Sequence, residues 1–245
     1  MLIQSFNLIS VHNLQILLYN TLMKQSSLFD AIAPIMIGPS SSHTAGAVRL
    51  GLLAKNIFAD EVKKITFRLY NSYAQTGFGH GTDKGLLAGV LGLAVDDKRI
   101  KNIFNLPEAQ NIEYKFEYLE DFNRHPNAVD FIFENDNQNM VICGDSVGAG
   151  NVRITKINDF SVNLAGDYNS LIMSYKDVTG MISKVTEIIQ DENINIASLI
   201  CERSAKGEDA SMCICVDGDL NNSIIEKIMQ IPDIYFVRNI SKLEN

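Results

Sequence analysis

The sequence has no excess of positive charge: 21 Lys and Arg stand against 29 Asp and Glu, for a formal net charge of −8 and a pI near 5.0. Nucleic-acid binders concentrate Lys and Arg against phosphate, and no basic stripe is present, so no nucleic-acid partner is expected. Cysteine is also scarce. Four thiols (Cys143, Cys201, Cys213 and Cys215) fall late and unevenly in 245 residues. Without a convincing secretion signal they read as reduced thiols of a cytoplasmic protein rather than a disulfide framework. Cys213 and Cys215 are two apart on an expected strand and face one side of it, but Cys143 and Cys201 complete no common cluster pattern, so no metal site is expected on this chain. The sequence lacks a G-x-G-x-x-G turn with its acidic residue and a Walker-type G-x-x-x-x-G-K-[ST], which leaves nucleotide binding without support. The first 22 residues, "MLIQSFNLISVHNLQILLYNTL", contain no Lys, Arg, Asp or Glu. They lack the positive n-region of a signal peptide, and Asn and Gln interrupt their apolar run, so neither a leader nor a membrane span is expected. Residues 1–22 are read as an extension ahead of a domain starting at Met23, with an extra packed helix as the alternative.

The length suits two domains of ordinary size. From Met23 to Gly166 the pattern is mixed α/β. "TAGAVRLGLLAKNIF" (44–58) has apolar residues near helical spacing, and this helix starts at a Ser/His/Thr cluster. "KITFRLY" (64–70) alternates like a half-buried strand. "DKGLLAGVLGLAV" (83–95) follows a Gly-rich turn and has helical length, its glycines weakening it but permitting close helix packing. Further strands are expected at 113–119, 129–134, 139–143, 151–157 and 160–164, with "GDSVGAGN" (144–151) as a turn. Residues 167–245 form a second unit. Strands at 170–175, 194–203, 209–218 and 234–240 alternate with helices at 179–192 and 220–230, the first with Ile182, Val185, Ile188 and Ile189 inward. The order is β-α-β-β-α-β, a ferredoxin-like arrangement in which the 203–208 turn joins the two central strands as a hairpin.

The chemistry concentrates in "IGPSSSHTAG" (37–46), where Ser40, Ser41, Ser42 and Thr44 surround His43. Amides at a helix N-terminus are unpaired and the dipole is positive there, so hydroxyls and amides together suit a carboxylate. A single Ser or Thr would serve as a plain cap, but four hydroxyls around an imidazole exceed that need. Three of the four histidines fall in polar stretches punctuated by Gly or Pro: His43, His80 in "GFGHGTD" and His125 in "NRHPN". Imidazole exchanges protons near neutral pH and orients hydroxyls or carboxylates, although an exposed loop histidine is the plain alternative for each. Thr82 or Asp83 is expected to cap the helix that follows, displaying His80 from an anchored turn. A self-sufficient Ser/His/Asp hydrolase is disfavoured, because no G-x-S-x-G elbow is present and His43 is the sequence neighbour of Ser42.

Two resemblances follow from these stretches. "KDVTGMISKVTEII" with "INIASL" resembles the first turn, helix and second strand of an ACT domain, a module that binds amino acids at paired copies. That implies a ligand turn at Asp177 and Gly180, and self-association through ACT domains, with a purely structural dimeriser as the alternative. "LFDAIAPIMIGPSSSHTAGAVRLG", "GHGTDKGLLAGVLG", "RHPNAVDF" and "INDFSVNLAG" resemble the β chain of bacterial iron–sulfur L-serine dehydratase over residues 23–166. The implied fold class is α+β, an allosteric-substrate-binding-like mixed α/β domain followed by the ACT domain. The implied reaction is dehydration of L-serine to pyruvate and ammonia without pyridoxal phosphate. A [4Fe–4S] cluster, carried by a separate α chain, acts as the Lewis acid. His43, His80 and His125 would then be catalytic, and Ser40, Ser41, Ser42, Thr44 and Asp83 substrate-binding, with no residue singled out as the base. The alternative is a non-catalytic amino-acid sensor of the kind found in phosphoglycerate-dehydrogenase regulatory domains, with the same cluster as an effector pocket.

Overall fold

The computed structural model describes residues 35–243. The 1–22 extension and the domain start at Met23 lie outside the described residues. The first half is built on a six-stranded sheet of β1 (Lys64–Tyr70), β2 (Glu113–Leu119), β3 (Ala128–Glu134), β4 (Asn139–Gly148), β5 (Asn151–Ile157) and β6 (Phe160–Leu164), in the order β2-β1-β3-β4-β5-β6. Only the β1–β2 pair is parallel. β1 lies inside the sheet, and the half-buried alternation expected of it is not found. Thr66 and Tyr70 are buried along with Ile65, Phe67 and Leu69, and only Arg68 is exposed. Tyr70 is covered by the Arg124 guanidinium, 4.4 Å from its ring centroid.

Three helices meet at one end of this sheet. α1 (Gly46–Phe58) continues from a wide π-type turn at Ser41–Ala45 and buries Ala47, Val48, Leu50, Leu53, Ala54, Ile57 and Phe58. Full burial of each large apolar side chain contributes roughly 1.5–3 kcal/mol. α2 (Ser72–His80) occupies part of the stretch read as a Gly-rich turn; Gly77 and Gly79 hide its periodicity. α3 (Thr82–Val90) ends five residues before the expected 95. Gly92 takes φ +82°, and the amides of Gly92 and Leu93 close on Gly89 and Ala88 carbonyls at 2.9 Å, a left-handed termination suited to glycine. α1 and α3 cross through glycines: a Cβ on Gly51 would lie 2.9 Å from Gly89 Cα, and one on Gly85 would lie 2.7 Å from Thr44 O. β4 in turn runs past the expected 143 to Gly148, and the turn shrinks to Ala149 and Gly150 at φ 52° and 82°, both positive as a two-residue hairpin turn requires.

The second half is a four-stranded antiparallel sheet of β7 (Asn169–Lys176), β8 (Ile196–Arg203), β9 (Asp209–Val216) and β10 (Ile234–Ile240), ordered β10-β7-β9-β8. With α4 (Met181–Asp191) and α5 (Asn222–Met229) this is the ferredoxin-like β-α-β-β-α-β unit. The 203–208 turn does join β8 to β9, but β8 sits at the sheet edge, and the central pair is β7 and β9. Met181, Val185 and Ile189 form the buried stripe of α4. Ile182, expected inward, is 47% exposed, because the stripe runs at 181, 185 and 189 and places it on the next face. The sheet face opposite the helices joins the first core through Ile172, Cys213, Cys215 and Ile240. Arg238 of β10 donates through Nη1 to the Phe58 carbonyl at the end of α1, at 2.7 Å.

Candidate functional site

The 40–46 cluster forms the first turn of the α1 segment. Ser40 is its N-cap: the hydroxyl accepts from the His43 amide at 3.1 Å, and its carbonyl accepts from the Thr44 amide at 2.8 Å. Thr44 donates from Oγ1 to the His80 carbonyl at 2.7 Å, clamping this turn to the end of α2. Two of the four hydroxyls therefore hold the turn together, and two of the amides expected to receive an anion are already paired. Ser41 and Ser42 are half-buried, with Ser42 Oγ 3.4 Å from Ser40 Oγ. The wide turn leaves the Ser42 carbonyl to accept from Tyr73 Oη at 2.8 Å and Ser146 Oγ at 2.9 Å.

His43 is 9% exposed and packs against two rings, Tyr73 and His80, each with centroids 5.1 Å away. Its Nδ1 lies 3.0 Å from Thr82 Oγ1. Burial first, and the neighbouring His80 second, hold the His43 pKa below its ordinary value, so the ring is neutral at physiological pH. His80 is exposed at the C-terminus of α2, and its Nδ1 lies 2.9 Å from the Thr76 carbonyl. A carbonyl only accepts, so in the neutral ring Nδ1 carries the proton and Nε2 presents a lone pair. The two imidazoles thus differ: one enclosed and oriented, the other open to exchange.

His125 comes to the same end of the sheet without touching either ring. Its Nδ1 accepts from the Asn127 amide at 3.1 Å. The neighbouring Asn127 carbonyl receives the Ser146 amide at 3.0 Å, and the Pro126 carbonyl receives that of Tyr73 at 3.3 Å. Tyr73 and Ser146 therefore stand between His125 and Ser42. Burial raises the pKa of nearby Asp145, and His125 partly offsets this. The loop carrying His125 is fixed by Asn71, whose Nδ2 donates to the Asp121 carbonyl at 2.8 Å while Oδ1 accepts the Asp121 amide at 2.9 Å. Asn71 sits at φ 51°, ψ −117° to do this. Arg124 of the same loop pairs with Asp130 at 2.7 Å, and Tyr70 donates to the other Asp130 oxygen at 2.8 Å.

The capping expected of Thr82 or Asp83 is not found. Gly81, at φ +74°, is the N-cap of α3, and no side chain bonds there. Thr82 turns instead to His43, and Asp83, 6% exposed, accepts from Tyr118 Oη at 3.0 Å. Burial raises the Asp83 pKa, and the Tyr118 hydroxyl opposes it. Phe78 and Phe122, 88% and 91% exposed, lie on α2 and on the His125 loop. Asn71, Tyr73, Tyr118 and Ser146 were not legible as site residues, because each arrives from another helix, strand or loop and none stands in a patterned motif.

In the second half, Gly180 takes φ 88° as the N-cap of α4. Asp177 spends Oδ2 on Arg203 Nη1 at 3.1 Å and the Gly207 amide at 3.0 Å, tying this turn to the β8–β9 hairpin. A hollow of about 510 Å³ remains there, lined by Tyr175, Val178, Thr179, Gly180, Ile182 and Ser183 among others.

Comparison with known proteins follows the same division. Residues 27–113 match the family model described as serine dehydratase beta chain, and residues 169–233 match the ACT domain. The probable L-serine dehydratase beta chain of Bacillus subtilis (strain 168) is 34% identical over 219 residues, covering 89% of this chain and 100% of that one. The L-serine dehydratase beta chain of Peptoniphilus asaccharolyticus is 34% identical over 212 residues, covering 85% and 95%. The D-3-phosphoglycerate dehydrogenase of Bacillus subtilis (strain 168) is 24% identical over 195 residues, 79% of this chain but 37% of that protein. With the β-chain relatives matched over essentially their whole length, the chain belongs to the family of L-serine dehydratase beta chains.

Proposed function

We propose that this chain is the β subunit of a cytoplasmic L-serine dehydratase whose active site is completed by a separate α chain. L-serine loses its Cα proton and its hydroxyl, as water, to give 2-aminoacrylate, which tautomerises and is hydrolysed to pyruvate and ammonia. The observation that carries the reading is the pair of unlike imidazoles in one cluster, His43 enclosed and His80 open, in a chain that matches the Bacillus subtilis β chain over all of that relative's length. His80 Nε2 is the position at which a proton is exchanged with substrate or solvent. His43, neutral and held by Thr82, orients the substrate from the other side. Ser41 and Ser42 take the carboxylate. His125 acts at the rim, where Phe78 and Phe122 leave apolar surface for the partner to cover.

The [4Fe–4S] cluster of this reading belongs to the α chain. Among the described residues no three His, Cys, Asp or Glu side chains gather as a metal site, and Cys213 and Cys215 are buried between the sheets. The described side chains do not fit a cluster, and their work is binding and proton placement. No described helix is long and apolar enough to cross a membrane. ACT domains of two chains associate, with β8 left as an open edge of the sheet. The 177–183 hollow takes an amino-acid effector.

The test is co-purification with the candidate α chain under anaerobic conditions, followed by a pyruvate assay with L-serine. Stable association with turnover is expected, and a stable pair that forms no pyruvate rejects the reaction. The similarity to phosphoglycerate dehydrogenase over 79% of the chain favours one second reading, a non-catalytic amino-acid sensor. That reading predicts amino-acid binding at the His43 cluster with no turnover in any pairing.

A further inference from the structure

A hollow of about 250 Å³ lies between the two sheets and shares no lining residue with the His43 cluster or the 177–183 hollow. Strand register explains it. On the sheet face that meets the first core, Ile172 of β7 and Cys213 of β9 are cross-strand partners and pack into that core. The next pair on this face is Ser174 and Ser211, with Phe236 of β10 opposite Ser174. Two short side chains therefore stand where the pattern carries bulk, and the space over them stays open. The facing wall is apolar, built from Met140 of β4, Ile157 of β5 and Phe160 and Val162 of β6.

The polar groups around this hollow are used unequally. At the rim, Gln138 donates from Nε2 to the Phe58 carbonyl at 3.0 Å, and Asn158 accepts the Val141 amide at 2.9 Å. The serines have no such role. Ser211 is 8% exposed, and among the described residues neither its hydroxyl nor that of Ser174 has a hydrogen-bond partner. A hydroxyl taken from water without a partner is destabilising, so a ligand group that both donates and accepts gains by meeting this pair. No lining residue is charged. Arg238 stacks on the Phe236 ring, 4.8 Å from its centroid, but its Nη1 is turned to the Phe58 carbonyl and it stands outside the lining. A carboxylate or ammonium would lose its hydration here without a counter-charge, which disfavours amino-acid zwitterions.

We propose that this hollow binds a small uncharged aromatic molecule carrying one hydroxyl, its ring against Phe160, Val162 and Ile172 and its hydroxyl on Ser174 and Ser211. An apolar cavity of about 150 Å³ is enough for benzene. The larger space here therefore holds a substituted single ring. The Phe160 and Phe236 rings and the Met140 thioether favour an aromatic guest over an aliphatic one. Its walls come from both halves of the chain, so a bound guest stabilises the folded contact between the two sheets. The site goes beyond the dehydratase reading and stands without it.

The experiment titrates phenol into the full chain, followed by calorimetry and by the NMR signal of the Met140 methyl group, with toluene and benzoate as controls of similar shape. Phenol is expected to bind saturably with a Kd of about 1 mM or tighter, to shift the Met140 signal and to raise the melting temperature as occupancy rises. Benzoate, charged at neutral pH, is expected to bind more weakly by about 10-fold or more. Ser211→Ala should weaken phenol by about 5-fold, the loss of one hydrogen bond, and leave toluene within about 2-fold. Ser174→Leu fills the hollow and should abolish binding of phenol and toluene alike; Ser211→Ala, the smaller change, carries the test if that variant fails to fold. No saturable binding of phenol to the wild type overturns the proposal, and so does benzoate bound as tightly as phenol. Equal effects of Ser211→Ala on phenol and toluene, or phenol binding unchanged in a folded Ser174→Leu protein, overturn it as well.

Discussion

Replacing Gly89 by Ala tests the architecture beneath the site, because two opposing effects of known size meet there. Gly→Ala in a helix interior contributes about 1 kcal/mol of stability through helix propensity. The added Cβ, however, would lie 2.8 Å from both Gly51 Cα and Leu52 N, against 3.4–4 Å for ordinary contact, and it would press on the Val48 carbonyl as well. All three are backbone atoms of α1, so no side chain can rotate away and the helices must separate. Overpacking of this kind costs about 1–3 kcal/mol, and contact with rigid backbone puts it at about 3 kcal/mol. The net is a loss of about 2 kcal/mol, or a melting temperature lower by about 4–8 °C for a chain of this size. Gly79→Ala is the matched control. Nothing lies within 4 Å of its Cβ, so propensity alone acts and stability rises by up to about 1 kcal/mol. Thermal and urea unfolding of the two variants beside the wild type is the assay. Opposite signs are expected, and a Gly89→Ala protein as stable as wild type or more so refutes the tight crossing of α1 and α3.

Asn71→Gly keeps a residue able to adopt φ 51° but removes the side-chain bonds to the Asp121 carbonyl and amide; the expected loss is about 1–3 kcal/mol. Hydrogen exchange at the Asp121 amide should accelerate, and unchanged protection there would show that the loop is held by something else. Arg124→Met leaves Asp130 buried without its cation and should cost about 3 kcal/mol. Burial alone would raise the Asp130 pKa, but Arg124, Cys143 and Tyr70 outweigh it and the net direction is down. A depressed carboxyl contributes stability that is present above its unfolded pKa, near 3.9, and is lost as pH falls through its folded value. The wild type should therefore lose stability below about pH 4 more steeply than Arg124→Met, and parallel acid limbs would remove Arg124 from the account. Arg203→Met releases one bond to Asp177, which is held below the ordinary carboxylate range first by the Gly207 amide and then by Arg203. Its carboxyl should titrate at higher pH by NMR while the fold is retained, and an unchanged titration contradicts the pairing.

What could be read from the sequence was what local pattern determines. The apolar spacing of 44–58 and the β-α-β-β-α-β order of the second half follow from periodicity and turns, and they match the observed elements to within a few residues. The Ser/His/Thr cluster was legible because its members share one turn. What those hydroxyls do was not. Ser40 and Thr44 are spent on their own turn and on the end of α2, contacts set by tertiary packing. α2 was hidden by Gly77 and Gly79, and so was the tautomer of His80, which depends on the Thr76 carbonyl one helical turn earlier. Tyr73, Tyr118 and Ser146 reach the site from α2, β2 and the unexpected continuation of β4, across sequence separations that no motif spans.

On the proposed function the His43–His80 pair performs chemistry rather than packing, in a site this chain shares with an α chain. The most direct measurement is L-serine turnover by the anaerobically assembled pair carrying His43→Ala or His80→Gln, with the amount of assembled complex quantified in the same samples. Complex is expected at wild-type levels, with pyruvate formation abolished in His43→Ala and reduced by about 100-fold or more in His80→Gln. Near-normal turnover in either variant, with the complex intact, contradicts that role.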